Sequence, residues 1–97
     1  MNAPDTYRQI LRQHVAAVEA KYPLRIVGIL PSGSTPHVFG DNPLSLLADK
    51  KEGLSLFGIA GAEIDLGDLL GRPVGIVMRS ELSGREAVEL PASAAPL

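Results

Sequence analysis

The residues of this chain best equipped for chemistry are a hydroxyl-rich segment, scattered carboxylates and two histidines. Pro31-Ser32-Gly33-Ser34-Thr35-Pro36-His37 follows an apolar run, and its density of proline, glycine and hydroxyl residues makes it a loop. A loop that leaves the carboxyl end of a strand is where α/β sheets bind ligands. The amides around Ser32, Gly33 and Ser34 could cradle a phosphate. Asp41, in Gly40-Asp41-Asn42-Pro43, reads either as a turn aspartate or as a lone carboxylate holding one magnesium ion weakly through waters. His37 lends positive charge to a phosphate only when protonated, and otherwise is a solvated loop histidine. His14 falls at the edge of a helical apolar stripe and reads as a half-buried ring. Glu63, Asp65 and Asp68 read as the wet face of a helix. With no cysteine there is no disulfide, thiolate metal site or cysteine nucleophile, and two histidines are too few for a zinc site built on imidazoles. No Ser-His-Asp arrangement can be argued, because two histidines and many serines always permit one on paper.

The elements that must position these groups follow from periodicity. Tyr7, Ile10, Leu11, Val15, Val18 and Tyr22 recur at three- and four-residue steps, which predicts a helix from about Asp5 to Tyr22, capped by Asn2 or Asp5 and stopped by Pro23. Leu24 to Leu30 predicts a strand at the centre of the sheet, covered on both faces. Leu44 to Ala48, opened by Pro43, predicts a second strand, with Asp49 to Gly53 as a charged turn. Asp41 and Asp49 share parity with Ser45, so an extended strand would turn all three to one side. Ser55 caps a second helix with Ile59, Ala62, Leu66, Leu69 and Leu70 on one side, ended by Gly71, Arg72 and Pro73. Gly58, Gly61 and Gly67 each cost about 1 kcal/mol in a helix interior, so this segment is expected to kink or break. Val74 to Met78 predicts a third strand, parallel to the one before the helix. Residues 1–90 are expected to form one domain and 91–97 a flexible tail.

Composition narrows the function classes. At 97 residues there is room for one core. Nine Lys plus Arg against eleven Asp plus Glu give a net charge of −2, which argues against direct nucleic-acid binding. Hydrophobic residues at 45% and a mean hydropathy of +0.15 exclude intrinsic disorder. No apolar run approaches the roughly 18–20 residues that span a bilayer, and nothing in Met1 to Asp5 reads as a secretion signal. With no cysteine, the expected location is the cytoplasm.

The order of elements and several residues resemble the minimal nucleotidyltransferases of prokaryotes, small members of the DNA polymerase beta superfamily often encoded beside a helical HEPN-domain partner. Tyr22 to Leu30 is similar to that family's first strand and its entry, Gly53 to Arg72 to its helix with a Leu69-Leu70-Gly71-Arg72 ending, and Val74 to Val77 to its last strand. The closing Ala95-Pro96-Leu97 resembles the end of those chains. The resemblance implies an α/β (α+β) fold, a mixed sheet of about three strands packed against two main helices. It also implies a chemistry of three carboxylates holding two magnesium ions about 4 Å apart against a nucleoside triphosphate. Laid on without gaps, the first two aspartates fall on Pro43 and Ser45, the third on Gly75, and the family's Gly-Ser on Pro31-Ser32. A shifted alignment gives Gly33-Ser34 the Gly-Ser role but still loses the carboxylates, and the arginine that follows in the family has no counterpart among Thr35, Pro36 and His37.

Two functions are therefore expected. One is a catalytically inactive protein of this fold, with no metal and no cofactor, that binds a HEPN-type helical protein as an antitoxin would, or binds a second copy of itself as a dimer. In the family, active members adenylylate that partner and silence a toxic ribonuclease, whereas a member without carboxylates could neutralise only by covering a surface. The alternative is a nucleotide-binding protein or enzyme using Ser32, Gly33 and Ser34 for the phosphate of ATP and Asp41 for Mg2+.

Overall fold

The computed structural model describes residues 3–97, with side chains from Thr6 onward. Helix α1 (Ala3–Lys21) and helix α2 (Leu56–Leu70) lie on one face of a four-stranded sheet made of β1 (Leu24–Ile29), β2 (Leu44–Lys50), β3 (Val74–Met78) and the short β4 (Ala95–Pro96). A third helix, α3 (Glu86–Ser93), follows a single 3-10 turn at Arg79–Glu81. The strand order is β3-β2-β1-β4; β1 is antiparallel to both neighbours, while β2 and β3 are parallel and joined through α2. The fold is mixed α/β as expected, with one strand and one helix more than the periodicity alone indicates.

The core forms where the apolar stripes of the two helices meet one face of the sheet. Leu11, Val15 and Val18 of α1 and Ala62 and Leu66 of α2 pack on Leu24, Ile26, Leu44, Leu46, Ala48, Val74, Ile76 and Met78. Tyr7 and Ile10, counted into the same stripe from their spacing, stay exposed at the first turns of α1. Asp5 lies inside α1 rather than at its cap, and Asn2 lies outside the described residues.

Two expectations change. The strand buried on both faces is β2, whose first five residues are all buried, whereas β1 alternates and turns Arg25 to solvent. The reason is position: β1 has only the two-residue β4 outside it, while β2 is flanked on both sides and covered behind by residues 30–43. Second, α2 is continuous despite its glycines. A Cβ on Gly61 would lie 2.8 Å from the Tyr22 hydroxyl oxygen and one on Gly67 3.2 Å from the Arg72 carbonyl oxygen, so these glycines are close-approach sites. Ser55 accepts from the Gly58 amide, and Gly71 ends the helix at φ 69°, as expected. Residues 91–97 close α3 and form β4: Gly28 pairs with Pro96 and Ile29 with Ala95. Gly28 permits this, because a Cβ there would sit 2.9 Å from the Ala95 carbonyl oxygen. Leu97 then packs against the core and its carbonyl accepts from Arg12 Nε at 2.7 Å.

The two helices are locked by one carboxylate. Asp65 of α2 accepts from Lys21 Nζ at 3.0 Å and from the Tyr22 hydroxyl at 2.9 Å. Hydrogen bonds from Lys21 and Tyr22 hold the Asp65 carboxyl below its ordinary value of 3.8, and the bond to Asp65 raises Lys21 and Tyr22 above theirs. The signs fix the pH window. The depressed Asp65 stabilises above pH about 4 and loses this as pH falls through its folded value, while the raised Tyr22 and Lys21 stabilise below pH about 10 and lose it above. Asp65→Asn should therefore lower the thermal midpoint between pH 5 and 9. The gap to the natural protein should close as the pH is taken below 4, which a series of melting curves reads directly.

Candidate functional site

The loop between β1 and β2, residues 30–43, carries most of the chemistry-bearing residues, and it lies against the sheet face opposite the helices. Leu30 anchors its start, with its amide donating to the Ser45 carbonyl at 2.8 Å. Pro31 to Ser34 forms a tight turn with Gly33 at φ 88°, the left-handed position a type II turn requires. The Ser34 amide and Oγ both donate to the Pro31 carbonyl, at 3.3 and 2.7 Å. Ser32 and Gly33 are exposed, and a Cβ on Gly33 would meet nothing within 4 Å. The structure thus gathers Ser32, Gly33 and Ser34 in one solvent-facing turn whose serine hydroxyl is turned back on its own backbone.

Past the turn the loop dips into the sheet. Thr35, only 3% exposed, places its Oγ1 2.7 Å from Oγ of Ser45, itself 2% exposed. Gly75 on β3, level with Ser45 across the parallel ladder, lies beneath the same threonine. A Cβ on Gly75 would stand 2.5 Å from Thr35 Cβ and Oγ1 and 2.6 Å from Val38 Cγ2. Two of the three positions on which the family resemblance lays a carboxylate are therefore roofed by the loop, and the third, Pro43, is half-buried where the loop meets β2.

The remaining sequence candidates disperse. Asp41 is exposed in the loop, because β2 begins only at Leu44; the parity argument that would place it beside Ser45 does not reach it. Asp49 does lie within β2, opposite Arg25, and pairs with Arg79 at 3.1 Å. His14 is half-buried. His37 is not simply solvated: its Nε2 lies 3.0 Å from Glu63 Oε2, and the same oxygen accepts the Ile76 amide on the outer edge of β3 at 2.7 Å. Glu63 and Asp65, expected as a wet face, are thus structural acceptors, and Asp68 alone of the three remains exposed. Among the described residues no three His, Asp or Glu side chains converge as a cation site would require.

Arg72, last residue of the Leu69-Leu70-Gly71-Arg72 ending, acts as a clamp. Its Nε donates to the Asn42 carbonyl at 2.8 Å and its Nη1 to the Tyr7 hydroxyl at 3.2 Å, joining the loop end, α1 and the end of α2. Sequence reasoning missed the parts played by Thr35, Glu63 and Arg72. The usable signal was a threonine in a loop facing a serine and a glycine on adjacent strands, and it becomes visible only with the register.

Among the described residues no helix is long and apolar enough to cross a membrane. No family model matches the chain, and no curated protein matches it. The chain is similar to a solved structure described as a "putative minimal nucleotidyltransferase", at 25% identity and a TM-score of 0.72, over 96% of this chain and 94% of that one. The likeness runs over nearly the whole of both, and the chain has a nucleotidyltransferase fold.

The roof over Ser45 can be tested by stability. Ser45→Ala leaves the Thr35 hydroxyl buried without its partner and should cost about 1–3 kcal/mol. Pairing it with Thr35→Val should recover most of that loss, since both polar atoms are then gone. Gly75→Ala, which drives a methyl into Thr35 and Val38, should cost about 1–3 kcal/mol. Urea denaturation of the four proteins measures all three changes.

Proposed function

We propose that this is a nucleotidyltransferase-fold protein that has lost nucleotide transfer and acts by binding another protein. The reading takes it as a prokaryotic, cytoplasmic partner of the antitoxin type for a helical HEPN-domain protein. The observation that carries it is the Thr35 roof. Ser45 and Gly75, which stand where the resemblance lays metal-binding carboxylates, touch Thr35 in a buried contact. A neutral serine is a weak magnesium ligand and glycine is none, so two cations facing a triphosphate would have no protein charge to fix them. To reach that face they would also have to displace a satisfied pair of hydroxyls. The fold shared with the structure described as a "putative minimal nucleotidyltransferase" supplies the scaffold, and without carboxylates at these positions the magnesium of a triphosphate has no anionic ligand there.

Titration calorimetry with ATP and GTP, with magnesium present and then chelated, tests the reading. The expected result is no heat of binding at millimolar nucleotide in either condition. Magnesium-dependent binding that Ser34→Ala and Asp41→Ala abolish would overturn it. In that event the function passes to a nucleotide-binding site made by the Ser32–Ser34 turn and Asp41.

A further inference from the structure

Both phenylalanines of the chain stand outside its core: Phe39 in the loop is 87% exposed, and Phe57 at the start of α2 is 90% exposed. Phe57 is not isolated. Ile64, 63% exposed, and Asp68 follow it at steps of seven and four residues, and Ala60 lies beside them, so one stripe of α2 points away from buried Ala62 and Leu66. Beside the stripe runs an open groove of about 410 Å³. Gly67 lies in its lining, with Ile64 and Asp68 on the α2 side and Val38, Pro73 and Val74 opposite.

We propose that this stripe is the contact between two copies of the chain, with their α2 helices antiparallel about a two-fold axis. The projecting ring and the receiving groove are on the same helix, Phe57 and Gly67 lying ten residues or about 15 Å apart along its axis. A two-fold axis at their midpoint sets each Phe57 over Gly67 of the second copy, which is the self-complementarity a symmetric dimer needs. The same axis sets Ala60 opposite Ile64 of the second copy, and Asp68 beside the second copy's Leu56.

Charge selects this pairing. Helix α2 has no acidic residue in its first turn, and Ser55 caps the Gly58 amide alone among the described side chains, so the positive end of the helix is not compensated by the helix itself. Asp68 makes no hydrogen bond or ion pair with any described residue. In the antiparallel pair each Asp68 carboxylate reaches the amino-terminal turn of the other α2, and both unmatched groups are matched at once. Pairing through the edge of β3 is disfavoured, because Glu63 already occupies the Ile76 amide there.

This inference names one partner of the protein-binding reading and rests on it. Its test is separate: nucleotide titration decides the loss of transfer, and sedimentation decides the dimer. Sedimentation equilibrium of the full chain should give twice the 10.2 kDa protomer mass, in a concentration-dependent equilibrium. Phe57→Ser and Asp68→Lys should each raise the dimer dissociation constant about tenfold or more with unchanged circular dichroism. Val88→Ser, an exposed site on α3, should leave it unchanged. The chain lacks cysteine, so Ala60→Cys should cross-link between copies through a bismaleimide of about 10 Å span, while Val88→Cys should not. A monomer at all concentrations up to about 1 mM overturns the proposal. So does a dimer that survives both Phe57→Ser and Asp68→Lys.

Discussion

The arrangement of this protein turns on two hydroxyl oxygens 2.7 Å apart, on Thr35 and Ser45, shut between a loop and the back of a sheet. A buried hydroxyl without a partner costs about 1–3 kcal/mol, and here each satisfies the other. The bond fixes the depth to which residues 30–43 sink, and the bare backbone of Gly75 leaves space for the threonine beside it. That depth is why β2 is buried on both faces and why the turn at Gly33 is pushed out into solvent. An aspartate at position 45 could not be accommodated in the same way. Its charge would need water or a cation, and the threonine would have to leave. The roof and a charged side chain at position 45 exclude each other.

The sheet is held to its helices by carboxylates aimed at backbone. Glu19 of α1 accepts the Ile26 amide and Glu63 of α2 the Ile76 amide, both at 2.7 Å. Each satisfies an N–H that the strand ladder leaves open, one on β1 beyond the reach of β4 and one on the outer side of β3. Unpaired edge groups invite pairing with other chains, and a charge-assisted bond from a packed helix closes them without another strand. Asp65 does the equivalent work between the helices, taking both Lys21 and Tyr22 on one oxygen.

What the sequence made legible is what depends on local pattern. The boundaries of α2 follow from Ser55 and Gly71, and β3 follows from its run of apolar residues between Pro73 and Arg79. That Pro43, Ser45 and Gly75 fall where the resemblance lays carboxylates is legible from the sequence alone. What stayed hidden depends on distant neighbours. Gly61 looks like a helix breaker until the ring of Tyr22, far off in sequence, occupies the space its side chain would take. Residues 91–97 look like a tail because their partner is a glycine, Gly28, whose lack of a Cβ signals an approach without saying by what. Glu63 looks solvated because the groups it accepts from, His37 and the Ile76 amide, come from a loop and a strand on either side of it.

The closing segment has a consequence for the order in which the molecule comes apart. Helix α3 has no buried residue, and β4 is held by two ladder positions and by the contact of Leu97 with Arg12, 85 residues away in the chain. An element with no buried side chain and few ladder bonds opens at low cost, because little packing is lost with it. The segment from α3 to Leu97 therefore has fewer anchors than α1, α2 and the three long strands, and is expected to open before them. When that segment lifts, Gly28 and Ile29 lose their partners and the core loses the contact of Leu97, while its buried residues keep one another. The outer margin of β1 then becomes the place where the otherwise native molecule is briefly adhesive.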